Sequence, residues 1–73
     1  MKPSVYLKEN LKALRIAAGE TQEQLGRLLK YNRKTVSSYE NGRTVPDLET
    51  ILRIADHYGV TVDDLLRVRL RRP

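Results

Sequence analysis

The chain has 73 residues, no cysteine and a formal net charge of +5. This length allows one small compact domain, and the lack of cysteine excludes disulfide bonds and thiolate metal sites. The sequence has neither the pattern of a signal peptide nor an apolar run long enough to span a membrane, so we expect a soluble, cytoplasmic protein that needs no cofactor.

The charges are distributed unevenly along the chain. Residues 30–43 contain four basic side chains and one acidic one, whereas residues 47–64 contain five acidic side chains and one arginine. A basic segment of this kind is typical of a protein that binds regularly spaced phosphates. The alternative is a charged helix surface that only keeps the protein in solution.

Apolar periodicity and capping residues predict the first two helices. Leucines spaced four and three residues apart predict a helix from about Val5 to Ala18. Gly19 terminates this helix. Thr21 predicts the N-cap of a second helix of about two turns. Gln24, three residues later, can complete its capping box.

The same signals predict three more helices. Asn32 predicts the N-cap of a helix from Arg33 to Asn41. Pro46-Asp47 begins a fourth helix that ends at Gly59, and a short fifth helix follows from Thr61 to Leu66. Because the connections are short, we expect an all-α fold, a compact bundle of five short helices around one core.

This bundle is expected to form a single domain of residues 1–66, followed by a basic C-terminal tail of residues 67–73. Arginine and apolar residues alternate in the tail, as they do on a half-exposed strand. Three interpretations remain open: the tail pairs with its symmetry mate in a dimer, it lies along nucleic-acid phosphates, or it is a disordered end.

The segment from Thr21 to Asn41 has the pattern of a helix-turn-helix, because a turn of about three residues joins two short helices. The apolar side on which these helices would cross consists of Leu25, Leu29, Tyr31, Val36 and Tyr39. Gly26 lies inside the second helix, where glycine costs about 1 kcal/mol relative to alanine. We therefore expect another part of the backbone to approach Gly26 closely.

Three motifs, in this order, resemble the Cro and phage-repressor family, the Xre-type regulators. The motifs are Arg15 to Gln22 (RIAAGETQ), Val36 to Gly42 (VSSYENG) and Pro46 to Thr50 (PDLET), and the resemblance extends from Leu7 to Leu66. It implies a lambda-repressor-like DNA-binding domain whose third helix is the recognition helix. Lys30 departs from the family pattern, which usually has glycine in this turn. Either the lysine adopts a positive φ or the turn has a different shape.

The recognition helix is expected to bury Val36, Tyr39 and Glu40 and to present its other side to the major groove. The residues expected to contact DNA bases are Arg33, Lys34, Ser37 and Ser38. Arginine and lysine suit the O6 and N7 acceptors of guanine, so we expect a guanine in each half-site.

Residues at helix ends are expected to contact DNA phosphates. Such contacts set the register of the protein on DNA without reading its sequence. The resemblance assigns this role to Gln22, Asn41, Arg43 and Thr44. Two further candidates are Asn32, for which a helix N-cap is the alternative role, and Thr35, which suits both roles. The resemblance also implies an ion pair between Arg15 of the first helix and Glu40 of the third. This pair would be structural and would orient the recognition helix.

These features predict a sequence-specific DNA-binding transcriptional regulator, a repressor that binds a palindromic operator as a homodimer. Two half-sites are expected because one short recognition helix reads only a few base pairs. The alternative is an antitoxin or adaptor whose main partner is another protein, bound on the fourth and fifth helices near Tyr58, Val60 and Val62. No enzyme, metal site or small-molecule substrate is expected, since His57 lies beside Asp56 without a nucleophile or a phosphate-binding loop.

Overall fold

The fold is a bundle of short helices, and the computed structural model describes residues 5–69 of it. Within that range there are five helices and no strand: α1 Leu7–Ala17, α2 Gln22–Leu28, α3 Arg33–Glu40, α4 Leu48–Tyr58 and α5 Val62–Arg67. Helix α1 packs against α3 and α5, α2 packs against α3, and α4 packs against α5. The predicted all-α bundle of five short helices is therefore confirmed.

Short polar side chains begin four of the five helices in residues 5–69. At the start of α2 the Gln24 amide donates to Thr21 Oγ1 at 3.0 Å and the Thr21 amide donates to Gln24 Oε1 at 2.8 Å, which is the predicted capping box. Asn32, Asp47 and Thr61 each accept a hydrogen bond from the backbone amide three residues later, before α3, α4 and α5. Each cap thus satisfies an amide that the helix itself leaves unpaired.

Several predicted boundaries differ from the structure, and the start of α1 differs most. Helix α1 begins at Leu7 rather than Val5, because the Tyr6 amide donates to the Leu66 carbonyl at 2.7 Å and holds this segment against the end of α5. Helix α5 continues to Arg67, one residue beyond the predicted end of the domain. Of the predicted tail, residues 70–73 lie outside the described range.

One core fills the space between the helices. The most deeply buried apolar side chains are Leu11, Leu25, Leu29, Val36, Ile54 and Leu65. Asn10 of α1 is equally buried, and its amide nitrogen donates to the carbonyls of Leu65 at 2.7 Å and Val68 at 2.6 Å. Because carbonyls at a helix end lack partners within the helix, Asn10 satisfies the C-terminal end of α5 and ties it to α1.

The exposed apolar surface of α4 differs from the predicted partner surface. Tyr58, Val60 and Val62 are partly buried and pack against the core. The apolar side chains that α4 exposes are instead Leu48, at 70% exposure, and Leu52, at 48%.

Among residues 5–69, no helix combines the length and the apolar character that crossing a membrane requires.

Candidate DNA interface

The crossing of α2 and α3 depends on a glycine. A Cβ atom placed on Gly26 would lie 2.9 Å from the carbonyl carbon and oxygen of Asn32 and 3.2 Å from the carbonyl oxygen of Tyr31. The Tyr31 amide donates to the Gly26 carbonyl at 2.7 Å. The backbone that enters α3 therefore lies directly on Gly26, which confirms the predicted close approach.

The turn between α2 and α3 contains a residue in the left-handed region. Lys30 has φ of +62° and is the one non-glycine residue with positive φ in the described chain, residues 5–69. Of the two alternatives for this departure from the family pattern, the lysine adopts the conformation that glycine usually provides. This conformation is strained for a residue with a Cβ atom.

Four of the five residues predicted on the apolar crossing side are buried, and Tyr31 is the exception. Leu25, Leu29, Val36 and Tyr39 lie in the core. Tyr31 is 42% exposed, so its assignment to the buried side was wrong. Its ring meets Tyr39 edge-on with centroids 6.4 Å apart, and its hydroxyl lies 3.3 Å from Thr50 Oγ1. A tyrosine can hold this position because its ring packs while its hydroxyl stays at the polar rim.

Helix α3 buries one side and presents the other to solvent. Val36, Tyr39 and Glu40 are buried, as predicted from the helical period. The four predicted base-contacting residues share the opposite side and line one shallow depression together with Arg43: Arg33, Lys34, Ser37 and Ser38. No carboxylate within residues 5–69 forms an ion pair with Arg33 or Lys34. Within this part of the chain, no ion pair neutralises their charges.

The predicted phosphate-contacting residues at the start of α3 also make contacts within the chain. Asn32 Oδ1 accepts from the Thr35 amide at 3.0 Å and from the Thr35 hydroxyl at 3.3 Å. The Asn32 oxygen is thus used as an N-cap, while both side chains remain at the surface beside Lys34 and Ser38.

The loop after α3 holds the remaining candidates. Asn41 is the C-cap of α3, and its amide nitrogen donates to Ser37 Oγ at 3.3 Å. Arg43 and Thr44 follow with exposed side chains. Thr44 lines a second shallow depression with Lys34 and Ser38, so the loop continues the exposed surface of α3.

A buried ion pair connects α3 to α1. Arg15 Nε lies 2.7 Å from Glu40 Oε2, and a second guanidinium nitrogen lies 3.1 Å from Glu40 Oε1. The hydrogen bond with Glu40 raises the pKa of Arg15. Gln22 Nε2 also donates to Glu40 Oε1 at 3.2 Å, so the first residue of α2 is held by the recognition helix.

A cluster around Glu20 was missed by the sequence analysis. The Tyr58 hydroxyl donates to Glu20 Oε1 at 2.6 Å, and His57 Nε2 lies 2.6 Å from Glu20 Oε2. Burial, followed by the hydrogen bond to Glu20, raises the pKa of Tyr58. Arg15 donates to the Glu20 carbonyl at 2.7 Å, so this cluster joins α4 to the Arg15–Glu40 pair. His57 therefore contributes to a contact between α4 and the segment before α2.

Comparison with known proteins identifies the family. Residues 9–68 match the model of the helix-turn-helix domain. The transcriptional activator BcrR of Enterococcus faecalis is 38% identical over 58 residues, which are 80% of this chain and 28% of BcrR. The chain belongs to the helix-turn-helix family of DNA-binding transcriptional regulators, of the Cro and phage-repressor (Xre) type.

Solved structures agree with this family. A transcriptional regulator from Listeria innocua has a TM-score of 0.83 and 32% identity, over 86% of this chain and 59% of that protein. The P22 c2 repressor, solved with a synthetic operator, has a TM-score of 0.79 over 93% of this chain and 98% of the repressor; at 22% identity the likeness concerns the fold. The chain thus spans a part of BcrR and of the Listeria protein. These relatives are regulators, which agrees with the prediction that the chain is not an enzyme.

Proposed function

We propose that the chain is a cytoplasmic transcriptional repressor that binds a palindromic DNA operator as a homodimer, with α3 in the major groove. The observation that carries this proposal is the exposed side of α3, where Arg33 and Lys34 form no ion pair with any carboxylate of residues 5–69. Unneutralised cations on a rigid helix attract DNA phosphates and suit the acceptors of guanine. The family and the operator-bound P22 c2 repressor support the same assignment.

The proposal divides the site into two roles. Arg33, Lys34, Ser37 and Ser38 read base edges, because they share the solvent side of α3. The residues that contact phosphates flank this side at helix ends: Gln22, Asn32, Thr35, Asn41, Arg43 and Thr44. The side-chain amide of Gln22 has two N–H donors, and one of them is hydrogen-bonded to Glu40. The other N–H can donate to a phosphate.

Selection from a pool of randomised duplexes, at two salt concentrations, tests the proposal. We expect enrichment of a palindrome with a guanine in each half-site, half-site centres about 34–36 Å apart, and affinity that falls steeply with salt. Sedimentation of the complex is expected to give two chains per duplex. Weak binding without an enriched sequence, or one chain per duplex, would contradict the proposal.

Two arginine variants separate base reading from phosphate contact. Arg33→Ala is expected to lose about 1–3 kcal/mol on the selected palindrome and to relax the preference at one base pair. Arg43→Ala is expected to weaken binding equally on all sequences and to reduce the salt slope by about 1. Arg53→Ala removes the same charge from α4 and serves as the control. Uniform weakening by Arg33→Ala would refute its base-reading role.

A second candidate function is supported by the exposed leucines of α4. Leu48 and Leu52 lie one turn apart on α4 and are both exposed, which suits a protein partner of an antitoxin or adaptor. Sedimentation of the chain without DNA, and of Leu48→Ser, tests this function. A chain that binds no duplex in the selection but associates through Leu48 would favour it, whereas an enriched palindrome that Leu48→Ser binds as well as the wild type would favour the repressor.

A further inference from the structure

The side chain of Lys8 lies across the loop that follows the recognition helix. A Cβ atom placed on Gly42 would lie 3.0 Å from Lys8 Cδ and 3.4 Å from Lys8 Nζ. Gly42 has φ of +75° and directly follows Asn41, the C-cap of α3. The missing side chain of Gly42 therefore leaves the space that the stem of Lys8 occupies, although Lys8 belongs to α1, more than 30 residues earlier.

The ammonium group of Lys8 forms no ion pair with the described residues, 5–69. The residue is exposed. Lys8 lies in the first turn of α1, the end at which a helix dipole disfavours a cation. Stabilisation of α1 therefore does not account for a lysine here. The remaining structural role would be an interaction with the C-terminal end of α3, where the dipole favours a cation.

The surface around Lys8 is continuous with the candidate DNA interface. Lys8 and Thr44 line one shallow depression between α1 and the loop after α3. Thr44 also lines the neighbouring depression that contains Lys34 and Ser38. Thr44 thus joins the depression of Lys8, whose other lining residues are mostly apolar, to the depression that contains Lys34 and Ser38.

We propose that Lys8 is a phosphate-binding residue of the DNA interface, held in place by its stem on Gly42. The inference rests on the proposed function and adds α1 to the part of the domain that contacts DNA. A lysine ammonium is a compact charge with three N–H donors, which suits a phosphate oxygen but does not by itself read a base. Lys8 therefore contributes affinity and salt dependence rather than sequence preference.

The test measures the DNA affinity of the wild type, Lys8→Met and Arg53→Met between about 0.05 and 0.2 M salt. The two probes are the palindrome from the selection and a mixed-sequence duplex. Methionine keeps the stem of Lys8 and removes the charge. Arg53→Met removes one charge from α4 and controls for the change in net charge. In the wild type, Arg53 pairs with Glu49 at 2.9 Å. Lys8→Arg keeps the charge, and thermal unfolding is recorded for every variant.

Lys8→Met is expected to lower the salt slope by about 0.9 per protomer and to weaken binding to both probes by about tenfold per protomer near 0.1 M salt. Arg53→Met and Lys8→Arg are expected to keep the wild-type slope. If the wild type binds DNA and Lys8→Met has the same salt slope, this inference is overturned but the proposed function still stands. A loss of thermal stability in Lys8→Met without a change of slope would assign Lys8 to the end of α3 instead. A wild type that binds neither probe overturns both proposals.

Discussion

Arg15 and Glu40 form a two-point contact between the first helix and the recognition helix. The guanidinium nitrogens lie 2.7 Å and 3.1 Å from the two carboxylate oxygens of Glu40. The Arg15 side chain is 12% exposed and that of Glu40 is 2% exposed. Because a planar guanidinium matches a carboxylate at two points, the pair restricts the rotation of α3 as well as its distance from α1.

Glu40→Gln is expected to lower the free energy of unfolding by about 3 kcal/mol, because it leaves the charge of Arg15 partly buried without its partner. Urea denaturation measures this loss. Glu49→Gln breaks the exposed pair with Arg53 on α4 and is the matched control, with an expected loss of about 0.5 kcal/mol or less. Equal losses in the two variants would show that the Arg15–Glu40 pair adds no stability beyond that of an exposed pair.

Gly26→Ala is expected to destabilise the protein by up to about 2 kcal/mol. Alanine favours a helix by about 1 kcal/mol, but its Cβ would meet the Asn32 backbone at 2.9 Å, and overpacking typically costs about 1–3 kcal/mol. The variant is also expected to bind DNA more weakly, because Asn32 caps the recognition helix. Thermal unfolding and DNA titration measure the two effects. Arg27→Ala on the exposed side of α2 is the control, and a Gly26→Ala protein more stable than the wild type would contradict the close approach.

Lys30→Gly is expected to stabilise the protein by about 0.5–1 kcal/mol, because glycine adopts a positive φ without the Cβ strain that lysine has at +62°. Lys30→Ala keeps the strain and also removes the charge, so it is the control and is expected to give no gain. Chemical denaturation of the three proteins distinguishes these results. A Lys30→Gly protein less stable than Lys30→Ala would contradict the prediction, because glycine would then relieve no strain at this position.

Tyr58 is expected to make stability depend on pH in alkaline solution. Its pKa is raised above 10.0 by burial and by the hydrogen bond to Glu20, so the unfolded chain ionises this phenol first as the pH rises. The stabilisation is therefore fully present below pH 10 and is lost progressively above it. Tyr58→Phe is expected to be less stable at neutral pH, with a shallower decline between about pH 10 and 12. Parallel declines of the two proteins in urea denaturation across this range would contradict the prediction.

Local signals in the sequence predicted most of the helices. Thr21, Asn32 and Asp47 cap amides three residues away, so each contact joins neighbours along the chain. The buried side of α3 follows in the same way from a period of 3.6 residues. The buried Asn10 was not predicted, although it lies between Leu7 and Leu11 on the apolar side of α1, and a polar residue in that place is a signal for a buried hydrogen bond.

The candidate interface was predictable in part, for a related reason. Arg33, Lys34, Ser37 and Ser38 share one side of a single helix, so their spacing alone brings them together. Lys8 was not found, because nothing near it in the sequence indicates that its stem crosses Gly42. Tyr31 was predicted on the apolar side where α2 and α3 cross, whereas it lies at the rim, in contact with both Tyr39 and Thr50.

The sequence by itself determined the five helices and most of their caps, which side of α3 is buried, and which cations share its exposed side. These properties depend on residues within about one turn of each other. Only the tertiary structure decided how Glu20 joins His57 and Tyr58, and how Lys8 reaches the loop after α3. Such contacts join residues more than 30 positions apart. Their geometry depends on the relative positions of packed helices, which the pattern along any one helix does not specify.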